Sequence, residues 1–235
     1  MSLNDMDLKD KIAIVLVGIE KDEELINVLK DVKYAELRID EFLRNFDEKD
    51  LFEWIKKIRR LGENILIGTL RWYKEGGENS FYLPDKKRLE IFRMIGEYFD
   101  IIDVEIKSKI CENVIEICKI KNKKVLLSYH NFKKTPDINI LKKIVKKGKK
   151  YGADMIKIAT KVSTKKHLFT LTELTYRYSK KIDLIVIPMG TSIYERIIPI
   201  FFGSKFTYVS LNKKTAPSQP SYFEIIKFIE TIEIH

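Results

Sequence analysis

The amino-acid sequence predicts an α/β fold, a single-domain (β/α)8 or TIM barrel over residues 1–235. Three observations support this prediction. A short apolar strand followed by an amphipathic helical pattern recurs eight times. The chain has 235 residues, and such barrels typically need roughly 250. The first strand is followed by VGIEKDEE, which lacks the glycine-rich phosphate turn expected in an open doubly wound sheet.

The predicted strands are short runs rich in β-branched and apolar residues. In chain order they are KIAIVLVG (11–18), AELRID (35–40), NILIGTLR (64–71), IIDVEI (101–106), KVLLSYH (124–130), MIKIAT (155–160), LIVIPMG (184–190) and FTYVSL (206–211). Helical patterns such as EELINVLKDV, DLFEWIKKIRRL and YFEIIKFIETIEI follow them. Side chains of a barrel strand alternate between the interior and the surrounding helices.

A lysine, Lys157, lies near the centre of the sixth strand. In isolation, an edge strand with this lysine facing water would be the simpler interpretation. A closed barrel has no edge strand, and its outer face must be apolar to receive helices. Ile156 and Ile158 belong to that outer face, so Lys157 is predicted to point inward with Met155 and Ala159.

The same alternation places polar groups inside four further strands. They are Glu36, Arg38 and Asp40 in the second strand, Thr69 and Arg71 in the third, Asp103 and Glu105 in the fourth, and Ser128 and His130 in the fifth. Most fall near the C-terminal strand ends, where barrel active sites lie. Buried charges destabilise by several kcal/mol unless they are paired. The cluster therefore predicts a functional site rather than packing.

The chemistry of this cluster centres on Lys157 and His130. Burial among apolar residues and arginines is expected to lower the pKa of Lys157. A neutral amine attacks carbonyl groups and forms a Schiff base. His130 is the best general acid–base candidate, whereas His167, at a predicted helix start, and His235 are predicted surface residues.

Charge and composition indicate which kinds of ligand the protein binds. The net charge of +10 could indicate a nucleic-acid surface, but the lysines follow helical spacing and are expected on solvated helix faces. A positive field also suits an anionic substrate, which Arg38, Arg71 and Arg196 would recognise. His, Cys and carboxylate residues lack metal-ligand spacing, so no metal is expected.

The cellular compartment follows from segments that are missing from the sequence. No apolar run approaches the ~20 residues of a membrane span, and MSLNDMDLKDK lacks the apolar core of a signal peptide. Cys111 and Cys118 lie too far apart on a predicted helix for a disulfide. We therefore expect a cytoplasmic protein with free thiols.

Six motifs in order resemble type I 3-dehydroquinate dehydratase, the Schiff-base enzyme of the shikimate pathway. They are ELRID, LRWYKEGGE, SYHNFKKTP, DMIKIAT, FGS and KKTAPSQPS. The resemblance covers essentially the whole chain. It implies syn elimination of water from 3-dehydroquinate to give 3-dehydroshikimate, without metal or cofactor. It also implies a cytoplasmic homodimer with no nucleic-acid or membrane partner.

The resemblance also implies a role for each site residue. Lys157 would form the imine, His130 would move protons, and Glu75 would orient His130. The implied substrate-binding residues are Glu36, Arg38 and Arg71 for the hydroxyls, Arg196 for the carboxylate, and Thr215 and Gln219 in a closing loop. Thr215 stands where the family usually has serine, and the segment MGTSIYER, which ends in Arg196, is one residue shorter than usual.

Two other interpretations stay open from the residues alone. The first is another lysine Schiff-base barrel, an aldolase or transaldolase acting on phosphorylated substrates. The loop NKKTAPSQPS, however, has no glycine to bring backbone N–H groups close to a phosphate. The second is a non-catalytic basic module, which predicts strongly salt-dependent binding to nucleic acid.

Overall fold

A computed structural model of the chain describes residues 7–76 and 81–233. Its strands are β1 (Ile12–Leu16), β2 (Tyr34–Arg38), β3 (Ile65–Thr69), β4 (Ile101–Glu105), β5 (Lys124–Asn131), β6 (Met155–Lys161), β7 (Asp183–Met189) and β8 (Thr207–Ser210). They form one parallel sheet in the order β7-β6-β5-β4-β3-β2-β1-β8. The amide of Lys205 donates to the carbonyl of Leu184 at 2.9 Å and joins the two ends of the sheet. The predicted (β/α)8 barrel is confirmed, while a single domain over residues 1–235 stays a prediction.

The helices alternate with the strands and cover the outer face of the sheet. They are α1 (Asp22–Asp31), α2 (Ile39–Asn45), α3 (Glu48–Leu61), α4 (Asp85–Ile95), α5 (Cys111–Ile120), α6 (Ile138–Lys150), α7 (Lys165–Tyr178), α8 (Ile193–Phe201) and α9 (Tyr222–Glu233). The predicted strand 35–40 is too long, because β2 ends at Arg38 and α2 begins at once. Asp40 therefore lies in the first turn of a helix, where a carboxylate is favoured by the helix dipole.

Two apolar layers follow from the alternation of side chains along each strand. The outer layer packs strand residues such as Ile14 and Ile158 against the helices. The inner layer fills the barrel below the polar cluster with residues such as Ile67, Leu126 and Phe206. Polar residues are thus confined to the upper part of the interior.

The FGS motif has a structural role in closing the barrel. Gly203 has a φ of +103°, a conformation that glycine adopts without steric penalty. The hydroxyl oxygen of Ser204 accepts from the amide of Val186 at 3.0 Å. This turn fixes the approach of β8 to β7.

Three further features of the described residues concern membrane-spanning helices, metal sites and disulfides. None of the helices in the described part of the chain is long and apolar enough to cross a membrane. Over residues 7–76 and 81–233, no three His, Cys, Asp or Glu side chains are grouped so as to hold a metal ion. Cys111 and Cys118 are both buried and both free thiols.

Candidate active site

A pocket opens at the C-terminal ends of the barrel strands. The space inside it is about 480 Å³, part of it open to solvent. All nine residues predicted for the site line this pocket: Glu36, Arg38, Arg71, Glu75, His130, Lys157, Arg196, Thr215 and Gln219. They converge because the C-terminal strand ends and the segments that follow the strands meet at this face of the barrel.

Lys157 lies inside the barrel on β6 and is 5% exposed. Its Nζ donates to Glu36 Oε1 at 3.2 Å and to Asp103 Oδ2 at 3.3 Å. The Nζ also lies 3.9 Å from the ring centroid of Tyr208. The expected apolar and cationic surroundings are therefore wrong in part, because β2 and β4 bring two carboxylates across the interior to this amine.

His130 lies on the neighbouring strand β5, with its side chain turned to the same pocket. It pairs with Ala159, two residues beyond Lys157 toward the C-terminal end of β6. A rise of about 3.3 Å per residue and a strand spacing of about 4.8 Å place the two Cα atoms roughly 8 Å apart. An imidazole and a long amine at that separation can reach the same bound molecule.

Glu75 holds His130 from the short 3-10 helix Tyr73–Glu75. Its Oε2 accepts from the backbone amide of His130 at 2.8 Å and lies 3.4 Å from His130 Nδ1. Burial raises the pKa of Glu75 to about 7. Burial, reinforced by the charges of Arg71 and Lys157, holds the pKa of His130 well below its usual range. His130 is therefore neutral near pH 7, the form that accepts a proton.

A buried charge network forms the floor beneath Lys157. Arg71 donates from Nη1 to Glu105 at 2.7 Å and from Nη2 to Asp103 at 2.9 Å. Arg88 of α4 donates to the other oxygen of Glu105 at 2.8 Å. Although burial alone would raise it, Arg71 and Lys157 hold the pKa of Asp103 well below its usual range. Asp103 is therefore ionised at neutral pH.

Arg196 is placed by the start of α8. Ser192 caps this helix in a capping box with Glu195, which fixes where its first turn begins. Arg196 is 1% exposed, and its guanidinium donates to the carbonyls of Ser218 at 3.5 Å and Tyr208 at 3.3 Å. Burial lowers its pKa to about 10. The short MGTSIYER segment thus still delivers this arginine to the pocket.

Arg196 differs from the other buried arginines of the described chain. Arg38 forms a bidentate pair with Asp40, with hydrogen bonds of 2.9 and 2.6 Å. Arg71 and Arg88 pair with carboxylates of the floor. Over residues 7–76 and 81–233, Arg196 is the buried arginine with no carboxylate beside it. Its charge is available to an anionic ligand.

The loop between β8 and α9 covers one side of the pocket. Gln219 is buried in it, and its side-chain oxygen accepts from the amide and the hydroxyl of Thr215 at 2.8 and 3.1 Å. Lys213 donates to Glu41 of α2 at 2.7 Å. The loop is therefore tied both to itself and to α2, which follows the nearby strand β2.

Comparison with known proteins identifies the family to which the chain belongs. The sequence model of the family described as type I 3-dehydroquinase matches residues 12–235. The chain belongs to the type I 3-dehydroquinase family. The geometry of the pocket can therefore be considered in the setting of this family.

Individual members of the family resemble the chain over most of its length. It is 38% identical over 215 residues to a 3-dehydroquinate dehydratase from Thermodesulfovibrio yellowstonii, covering 88% of this chain and 89% of that relative. It is 35% identical to one from Pyrococcus abyssi, covering 81% and 83% of the two chains. The solved type I 3-dehydroquinate dehydratase from Clostridium difficile matches with a TM-score of 0.81 at 25% identity, covering 95% and 92%.

Two polar or charged residues of this candidate site, Tyr208 and Arg88, were not predicted from the sequence. Tyr208 shares the inward face of FTYVSL with Phe206, so strand alternation could have identified it. Arg88 could not have been identified, because a single charged residue in a helical pattern normally faces solvent. His167, the surface candidate, is partly buried away from the pocket and accepts from the amide of Ser163, and His235 lies outside the described residues.

Proposed function

We propose that the protein dehydrates 3-dehydroquinate to 3-dehydroshikimate by syn elimination through a Schiff base on Lys157. Membership of the type I 3-dehydroquinase family gives the reaction class, a hydro-lyase of the shikimate pathway and aromatic amino-acid biosynthesis. One observation carries the assignment of residues: an amine, Lys157, and a neutral imidazole, His130, face one pocket from adjacent strands. Family membership favours this reaction over the aldolase alternative.

The reaction starts with formation of the imine. Lys157 gives a proton to His130, and the free amine adds to the substrate ketone. His130 returns that proton as the former ketone oxygen leaves as water, which yields the protonated imine and neutral His130. Neutral His130 then removes a proton from the carbon beside the imine, which withdraws the electron pair. The pair forms the ring double bond as the C–O bond to the hydroxyl breaks, and the proton held by His130 leaves with it as water. A further water hydrolyses the imine and restores Lys157, so one water is lost overall.

Substrate recognition follows from the charges of the pocket. Arg196 would bind the substrate carboxylate, since it carries a buried positive charge without an anionic neighbour. The remaining contacts that we propose are Glu36, Arg38 and Arg71 to the hydroxyls, and Thr215 and Gln219 from the covering loop. Glu75 would orient His130 by accepting from Nδ1. No metal or cofactor enters any step.

We further propose that two copies of the chain pair in the cytoplasm. Phe169 and Tyr176 are exposed and seven residues apart on α7, and Tyr194 and Phe201 have the same spacing on α8. Residues seven apart lie on one helix face, and exposed aromatic residues are typical of interfaces. Buried free thiols suit a reducing compartment. Light scattering on the purified protein tests the dimer, and a monomeric mass would exclude it.

The proposed reaction has a direct test. The purified protein, without added metal, should convert 3-dehydroquinate and produce the ultraviolet absorbance of a conjugated enone. Sodium borohydride added during turnover should reduce the imine and leave a label that peptide mass mapping places on Lys157. Lys157→Ala should take no label, whereas Lys124→Ala, at the opposite end of the barrel, should be labelled like the wild type. Label on another lysine would exclude the assignment.

A further inference from the structure

Tyr208 lies between the two residues on which the proposed function most depends. Its ring stands over Lys157, with Nζ 3.9 Å from the centroid. Its backbone carbonyl accepts from Arg196 at 3.3 Å. The side chain is 4% exposed and lines the pocket. Any ligand that reaches both Lys157 and Arg196 must therefore pass close to Tyr208.

The hydroxyl of Tyr208 is buried without a hydrogen-bond partner among the described residues. A buried hydroxyl in this state destabilises a folded protein, and native structures contain few of them. The hydroxyl of Tyr222, by contrast, is only partly buried and donates to Asp31 at 2.7 Å. Packing in the barrel does not account for the hydroxyl, because phenylalanine would fill the same space without it. A ligand in the pocket that accepts a hydrogen bond from this hydroxyl would explain why tyrosine is present.

The chemistry of the phenol indicates what that partner is. Burial, reinforced by the negative charges of Glu36 and Asp103, raises the pKa of Tyr208 well above its usual value. The group therefore keeps its proton at every working pH and acts as a donor. An acceptor oxygen of a ligand, a carboxylate or a ring hydroxyl, satisfies it.

We propose that Tyr208 is a substrate-contact residue, whose hydroxyl donates a hydrogen bond to an oxygen of the bound cyclic carboxylate. Its ring face stabilises positive charge on the Lys157 nitrogen. This applies both to the ammonium before substrate binds and to the protonated imine. This inference rests on the proposed function, because the ligand that it names is the substrate of that reaction.

Tyr208→Phe and Tyr222→Phe form a matched pair, since each removes one tyrosine hydroxyl and keeps the ring, and only the hydroxyl of Tyr222 has a partner within the protein. Tyr208→Phe should raise KM about 2- to 13-fold, the range for one neutral hydrogen bond, without lowering the Tm of the ligand-free protein. Tyr222→Phe should lower the Tm and leave KM unchanged, because its hydrogen bond lies within the protein. Tyr208→Leu, which also removes the ring, should in addition slow borohydride trapping at saturating 3-dehydroquinate.

The outcomes separate this inference from the proposed function. An active wild-type protein whose Tyr208→Phe variant keeps its KM overturns the inference alone. A lowered Tm with unchanged KM in Tyr208→Phe also overturns it, because the hydroxyl would then be structural. A wild-type protein that does not dehydrate 3-dehydroquinate overturns the proposed function, and the inference falls with it.

Discussion

Replacing Arg196 by methionine should stabilise the ligand-free protein while it weakens catalysis. Burial lowers the pKa of Arg196 from its usual value to about 10, which corresponds to about 3 kcal/mol at 1.36 kcal/mol per pKa unit. Because the folded pKa lies below the unfolded one, this destabilisation is fully present below pH 10. It disappears only as the pH rises above about 10 toward the usual pKa of an arginine. At neutral pH the buried charge of Arg196 therefore destabilises the ligand-free protein by this full amount.

Methionine has a similar length and no charge, so it removes this destabilisation with little loss of packing. Arg196→Met should raise the free energy of unfolding by up to about 3 kcal/mol, which is several degrees in Tm for a protein of this size. The same change removes a bidentate, charge-assisted contact to the substrate carboxylate. That loss is worth about 3–5 kcal/mol, or roughly 10²–10⁴-fold in kcat/KM. Arg196→Lys should recover little of it, because a point charge does not replace the guanidinium fork.

Thermal unfolding without ligand and steady-state kinetics with 3-dehydroquinate measure the two effects separately. Arg88→Met is the control for burial: Arg88 is also 1% exposed, but it pairs with Glu105. Replacing Arg88 leaves the buried carboxylate of Glu105 with Arg71 as its remaining cationic partner. This variant should therefore have a free energy of unfolding that is lower by several kcal/mol. The reasoning about Arg196 is refuted if Arg196→Met unfolds at a lower temperature and keeps its kcat/KM.

Three further predictions concern proton transfer and loop closure. His130→Ala should lower kcat by at least ~10²–10⁴-fold, because proton removal depends on the imidazole; a wild-type-like kcat would exclude that role. In the wild type, kcat/KM should rise through pH about 7 as Glu75 loses its proton, and Glu75→Gln should lack this inflection. Identical pH profiles for the two proteins would show that Glu75 does not act through its charge. Proteolysis within residues 212–221 should slow when substrate is present, and Lys213→Ala should speed cleavage of the free protein by removing the ion pair with Glu41. Equal cleavage rates with and without substrate would argue against closure.

Strand alternation made much of the site predictable. A period of two residues is a local property, so MIKIAT alone indicates that Lys157 faces away from the helices once a barrel is assumed. The same reasoning applied to KVLLSYH indicates that His130 shares the pocket. It failed at Asp40, because nothing in AELRID signals that β2 ends at Arg38 and that a helix follows directly.

The sequence by itself thus determined the fold class, the inward direction of Lys157 and His130, and the end of the barrel at which they lie. Only the tertiary structure decided the partners of these groups. Glu36 lies 121 residues from Lys157 in the chain, and their contact at 3.2 Å depends on the way in which the whole sheet closes. The unpaired charge of Arg196 and the unpaired hydroxyl of Tyr208 likewise exist only because distant segments bury them. Local periodicity reports the direction of a side chain, whereas pairing and burial are set by contacts between remote parts of the chain.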